Sequence, residues 1–147
     1  MTMGGRGRKA SPDRAYADTN LFIVLFAGET HPLFDTAAAL FQRVAEGRLR
    51  LIVTPIVIGE LIYVSERIFR WSRSAIGRRL GDLLGAQGLD VREAHVLARA
   101  LDLYGSTRSL DFADAYLGAA ALEAGPPRVA SLDADLGRVP GITRIAG

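Results

Sequence analysis

The sequence predicts an α/β domain built on a parallel sheet with helices on both faces. Short apolar, β-branched runs alternate with longer segments whose apolar residues recur at helical spacing, which is typical of parallel βαβ units. The length of 147 residues suits one domain, and no internal repeat or linker divides the chain. We therefore expect one domain over residues 15–147. A flexible basic arm over residues 1–14 precedes it, and this arm could touch nucleic acid.

The predicted elements follow from apolar periodicity and from residues that start or stop helices. Gly47 suits a helix C-terminus, and Thr54-Pro55 combines an N-cap with proline at the first helical position. In the first half we predict strand 1 closing at Tyr16–Asp18, helices Asn20–Ala27 and Leu33–Glu46, strand Leu49–Val53 and a helix from Pro55 towards Phe69. In the second half we predict helix Ser72–Leu84, strand Leu89–Val91, helices Glu93–Tyr104 and Asp111–Glu123, strand Arg128–Leu132 and edge strand Ile142–Ile145.

Composition and charge narrow the classes of function. The absence of cysteine excludes disulfides and thiolate metal sites and favours the cytoplasm. The apolar runs are too short to span a bilayer, and the basic start lacks the apolar core of a secretory signal, so no membrane partner is expected. Glu66–Arg79 carries five arginines and one acid, whereas Asp111–Asp135 carries five acids and one arginine. Either codon bias explains the many arginines, or a basic patch beside an acidic cluster serves phosphodiester binding at a metal site.

Two acids follow predicted strands. Asp18 comes after strand 1 and Asp133 after the strand RVASL, and ligands of α/β proteins bind beyond the carboxyl ends of strands. Asp18 could instead cap the next helix. Asp135, two positions after Asp133, could be an ordinary turn residue.

Two further acids lie within helices. Glu60 stands among apolar neighbours at helical spacing, where a carboxylate needs a partner, and an arginine is the alternative to a metal. Asp114 is flanked by small alanines one turn after Asp111, and Asp111 suits a capping or helix-dipole role. Four converging carboxylates repel one another unless they are protonated or bind a cation. Oxygen ligands favour Mg²⁺ or Mn²⁺ over zinc, and we interpret His31 and His95 as structural.

Four segments in order resemble the PIN-domain family, and most closely its VapC toxins. They are ADTNLFI (Ala17–Ile23), the GEL of Gly59–Leu61, LDFADAYLGAAAL (Leu110–Leu122) and VASLDADL (Val129–Leu136). The resemblance implies a parallel sheet of about five strands and a Mg²⁺- or Mn²⁺-dependent endoribonuclease. It assigns the catalytic, metal-binding quartet to Asp18, Glu60, Asp114 and Asp133. The supporting positions are Thr19, Asn20, Asp111, Ser131 and Asp135, and both Asp133 and Asp135 remain candidates for the final metal-facing acid.

The same resemblance implies an RNA substrate, a cognate antitoxin protein and a homodimer. We expect Arg67, Arg70, Arg73, Arg78 and Arg79 to guide the RNA backbone. We also expect Ile62, Ile68, Phe69 and Trp71 to form apolar partner grooves, with completion of the core as the alternative.

Other functions remain open on the sequence. A phosphatase of the haloacid dehalogenase type also uses a strand-end aspartate but usually needs a second aspartate where Asn20 stands. A phospho-acceptor receiver domain needs a lysine, and Lys9 lies in the arm. A non-catalytic RNA- or protein-binding PIN scaffold is the third alternative.

Overall fold

The computed structural model describes residues 11–146 and confirms the α/β fold class. The first half contains β1 (Asp13–Tyr16), α1 (Thr19–Ala27), α2 (Phe34–Ala45), β2 (Leu49–Val53), α3 (Pro55–Arg67) and α4 (Arg73–Leu84). The second half contains β3 (Leu89–Val91), α5 (Ala94–Ser106), α6 (Phe112–Ala124), β4 (Arg128–Ala130), a 3-10 helix (Ala134–Arg138) and β5 (Thr143–Ile145). Most of the predicted arm, residues 1–10, lies outside the described residues.

The strands are parallel, as the alternating pattern predicts. β2 is central and pairs with β1 on one side (Ala15 opposite Leu51) and with β3 on the other (Val53 opposite Val91). β4 pairs with β5. In residues 11–146 the strands thus form a three-stranded and a two-stranded sheet, where the resemblance implies one sheet of about five.

The start of the domain differs from the prediction. The first strand spans Asp13–Tyr16 instead of closing at Asp18, so it begins inside the stretch assigned to the arm. All four of its residues are exposed, and the strand is held by its ladder with the buried strand β2. A polar, solvent-exposed strand carries no apolar alternation, which explains why periodicity did not locate it. Asp18 consequently lies two residues past the strand.

The core joins β2 to helices α3, α4 and α5. Its largest fully buried side chains include Phe22, Ile58, Leu61, Ile76 and Tyr104. A smaller cluster lies beneath β4 and β5 and consists of Leu110, Val129, Leu136, Val139 and Ile142. The two clusters fix the ends of the segments that carry the predicted acids. Over residues 11–146, no helix combines the length and the hydropathy that a membrane span requires.

Candidate active site

Asp18 opens helix α1 without capping it. The residue occupies the N-cap position with extended backbone, yet its carboxylate forms no capping hydrogen bond. The Asp18 side chain therefore does not cap α1, which was the alternative considered from the sequence, and its exposed carboxylate is available to other partners. Thr19 is only 5% exposed.

Glu60 is held by that threonine. The Thr19 hydroxyl donates a hydrogen bond of 2.5 Å to Oε2 of Glu60, which joins the start of α1 to the middle of α3. The neighbours of Glu60 at helical spacing are apolar, as expected, but they are exposed to solvent: Ile56 is 74% and Tyr63 is 59% exposed. Within residues 11–146 no arginine pairs with Glu60, so a salt bridge does not account for it.

One groove contains the first half of the predicted site. It has a volume of about 420 Å³ and lies between α1 and α3. Its lining consists of Asp18, Thr19, Asn20, Ile23, Gly59, Glu60, Tyr63 and Val64. Two carboxylates, a hydroxyl and an amide thus face one open space, which suits a cation or a polar ligand.

Asp111 and Asp114 begin helix α6. Oδ1 of Asp111 accepts a hydrogen bond of 2.8 Å from the backbone N–H of Asp114, so the capping role of Asp111 is realised. Asp114 is half-buried. Burial raises the pKa of Asp114, and the nearby charges of Asp111, Asp133 and Asp135 raise it further. Negative charge is therefore concentrated around this carboxyl.

Asp133 and Asp135 occupy the turn that follows β4. The Ser131 hydroxyl accepts a hydrogen bond of 3.0 Å from the backbone N–H of Asp133, and Oδ1 of Asp133 accepts one of 2.9 Å from the N–H of Asp135. Asp135 also forms an ion pair of 3.2 Å with Arg138. The negative charges of Asp133 and Asp135 both raise the pKa of Asp114, so both stay candidates for the final acid.

The predicted site thus consists of two acidic groups. Asp18 and Glu60 share the groove, whereas Asp114 interacts electrostatically with Asp111, Asp133 and Asp135. In the described part of the chain, no three histidine, cysteine, aspartate or glutamate side chains stand close enough together to hold one ion. The donor chemistry nevertheless fits Mg²⁺ or Mn²⁺, because the candidate ligands are oxygen atoms and the charge around Asp114 favours a cation.

The predicted RNA-binding arginines differ in their surroundings. The guanidinium of Arg67 lies 5.2 Å from the ring centre of Tyr63, and that of Arg79 lies 4.1 Å from the ring centre of Trp71. Arg70 and Arg78 are exposed. Arg73 differs from the others because it hydrogen-bonds backbone carbonyls within the fold.

A larger apolar groove runs along α3, where apolar grooves were expected, but its α6 wall was not predicted. It has a volume of about 690 Å³, lies between α3 and α6, and adjoins the acidic groove through Gly59 and Tyr63. Phe112 and Tyr116, one turn apart on α6, line it together with Asp111. Their spacing was the available signal, because aromatics recur there on the helix that carries the acids.

Comparison with known proteins gives one family match. The family model described as PIN domain matches residues 15–142, which is most of the chain. No curated protein and no solved structure gave a significant match.

Proposed function

The chain belongs to the PIN-domain family, and we propose that it is a divalent-metal-dependent endoribonuclease that hydrolyses RNA phosphodiester bonds. Members of this family are typically metal-dependent nucleases that act on nucleic acid. The observation that carries the proposal is the concentration of carboxylates around Asp114, whose pKa is raised by burial and by neighbouring acids. Family membership also disfavours the phosphatase and receiver alternatives.

In this proposal the two acidic groups, Asp18 with Glu60 and Asp114 with Asp133, would supply the ligands of Mg²⁺ or Mn²⁺. A bound divalent ion lowers the pKa of water and stabilises the charge that develops on the phosphate during in-line attack. The supporting residues orient these ligands: Thr19 holds Glu60, Asp111 caps the helix of Asp114, and Ser131 fixes the backbone at Asp133. Asn20 adds a polar side chain to the groove, and Asp135 adds negative charge near Asp114.

The arginines of α3 and α4 attract the RNA backbone in this proposal. Exposed Arg70 and Arg78 are free to meet phosphates, and Arg67 and Arg79 lie over aromatic rings that could also stack on unpaired bases. Arg73 is left out of this set because its guanidinium already satisfies backbone carbonyls.

We also propose that the enzyme is the toxin of a type II toxin–antitoxin pair, acts in the cytoplasm and forms a homodimer. Support comes from Ile56 and Tyr63 on α3 and from Ile68 just after it, which are 74%, 59% and 70% exposed. The expected partner surface needs one correction, since Ile62 is 1% exposed and belongs to the core. Phe69 and Trp71 are half-buried and stack on each other, and Trp71 also packs against the core.

Cleavage of RNA with and without metal tests the enzyme. We expect cleavage with Mg²⁺ or Mn²⁺, none in EDTA, and none after Asp18→Asn or Asp114→Asn. Asp102→Asn, which changes an exposed acid on α5, is the matched control and should retain full activity. Full activity in EDTA would refute the metal mechanism. RNA binding without cleavage in any metal would favour the non-catalytic scaffold.

A further inference from the structure

Arg73 joins helix α4 to the connection between α5 and α6. Its Nη1 atom donates hydrogen bonds to the backbone carbonyls of Tyr104 at 2.9 Å, Thr107 at 3.4 Å and Leu110 at 2.7 Å. The guanidinium carbon also lies 4.3 Å from the ring centre of Tyr104, within the range of a cation–π interaction. One cation therefore contacts the end of α5 and both ends of the connection.

The Tyr104 carbonyl lies in the last turn of α5, where carbonyls lack an N–H donor from the next turn and the partial negative charge favours a cation. The Thr107 carbonyl also accepts the N–H of Leu110 at 3.1 Å, so Arg73 adds a second donor there. The arginine lies in a polar network that extends to a third helix, because the Tyr104 hydroxyl donates to Oε1 of Glu66 on α3. Leu110 is fully buried, so the connection is also anchored by its side chain.

We infer that Arg73 is a positioning residue for the acidic start of helix α6, an inference that rests on the proposed nuclease function. The carbonyl of Leu110 belongs to the peptide group that leads directly into Asp111. Oδ1 of Asp111 accepts the N–H of Asp114, and the carbonyl of Asp111 accepts the N–H of Ala115 at 3.0 Å. Arg73 thus holds the backbone on which the cap of α6, and with it the direction of the Asp114 carboxylate, depends.

This role differs from RNA binding in its kinetic consequences. An arginine that binds phosphate mainly changes KM, since it contributes to substrate affinity. A residue that holds a catalytic carboxylate in place mainly changes kcat, because that carboxylate would act at the reacting phosphate and contribute little to the affinity for RNA. Lysine retains the charge but lacks the planar fork of arginine, so Arg73→Lys should recover only part of the function.

The test combines hydrogen exchange at the backbone amides of the metal-free protein with steady-state kinetics of RNA cleavage. Arg73→Gln should accelerate exchange of the Asp114 and Ala115 amides about tenfold or more and lower kcat about tenfold or more, with KM changed less than about twofold. Arg73→Lys should give intermediate values for both. Arg108→Gln removes an equal charge from an exposed position in the same connection and should leave the exchange rates unchanged.

Exchange at the β2 amides separates local from global effects. A merely structural role would accelerate exchange in β2 as much as at Asp114, and this result would overturn the inference. So would a raised KM with unchanged kcat, or unchanged exchange at Asp114. If Arg73→Gln does not fold, Arg73→Lys provides the same comparison. If the wild-type protein fails to cleave RNA while Arg73→Gln still loosens the α6 start locally, the proposed function fails and the positioning of Asp114 stands.

Discussion

The carboxylate of Asp114 should have two opposing effects on stability: it destabilises the metal-free fold, and as a metal ligand it allows Mg²⁺ to stabilise the fold. Replacing Asp114 with asparagine should separate these two effects. The pKa of Asp114 is raised, first by burial and then by the charges of Asp111, Asp133 and Asp135. A carboxyl whose folded-state pKa lies above its unfolded value stabilises the fold only while protonated, and this contribution is lost as the pH rises through the folded-state pKa. Above that pH range the acid opposes folding, so Asp114→Asn should raise the melting temperature of the metal-free protein or leave it unchanged.

Bound Mg²⁺ should stabilise the folded wild-type protein. A ligand that binds only the folded state at ten times its Kd stabilises the protein by about 1.4 kcal/mol, which for a domain of this size raises the melting temperature by about 3–7 °C. If Asp114→Asn weakens Mg²⁺ binding about tenfold, the same Mg²⁺ concentration equals the new Kd and adds only about 0.4 kcal/mol. The melting shift should then shrink to about 1–2 °C.

Thermal melts of the wild type, Asp114→Asn and Asp111→Asn at constant ionic strength, with and without Mg²⁺, measure these shifts in melting temperature. Asp111→Asn is the matched control, because asparagine also caps helices well and Asp111 accepts the N–H of Asp114. It should keep most of the wild-type Mg²⁺ shift. If Asp114→Asn lowers the melting temperature of the metal-free protein and retains the full Mg²⁺ shift, Asp114 is a structural acid and the site assignment is wrong.

Three further predictions test the local structure. Thr54→Ala removes the hydroxyl that caps α3 and should lower the unfolding free energy by about 1 kcal/mol in urea titration; no loss would mean that the cap is not needed. Gly88→Ala should cost about 1–3 kcal/mol, because φ is +85° and the new Cβ would lie 2.4 Å from a buried valine side chain, whereas Gly85→Ala has open space and should cost less. The hydrogen bond to Glu93 raises the pKa of Tyr116 to about 12, so its stabilisation is present below pH 10 and lost towards pH 12. Ultraviolet titration should therefore find a lower pKa for Tyr116 in Glu93→Gln, and an unchanged pKa would contradict the bond.

Elements with strong local signals were predictable from the sequence. β2 and β3 have the predicted bounds; four of the five β2 residues are buried, whereas β3 buries only Val91. Helix α3 starts at the predicted Pro55 because capping is a local interaction between Thr54 and the first turn. By contrast, β1 is defined by its pairing with β2, and no local property of Asp13–Tyr16 indicates it.

The candidate site was predictable in residue type but less so in environment. The aspartate positions were read from strand and helix ends, and Asp111 caps α6 as its position indicated. The bond between Thr19 and Glu60 joins residues 41 positions apart, and the contacts of Arg73 span 31 to 37 positions. Periodicity within one element carries no information about partners at that distance, which is why Arg73 was assigned to RNA and the threonine partner of Glu60 was not predicted.

If the two acidic groups serve one metal site, both should contribute to the affinity for Mn²⁺. Titration of the metal-free protein followed by electron paramagnetic resonance measures bound and free Mn²⁺ without RNA. We expect Glu60→Gln, from the groove between α1 and α3, and Asp114→Asn, from the start of α6, each to weaken Mn²⁺ binding about tenfold or more. Asp102→Asn should leave the isotherm unchanged. An isotherm that responds to Asp114→Asn but not to Glu60→Gln would show that the two groups do not share an ion.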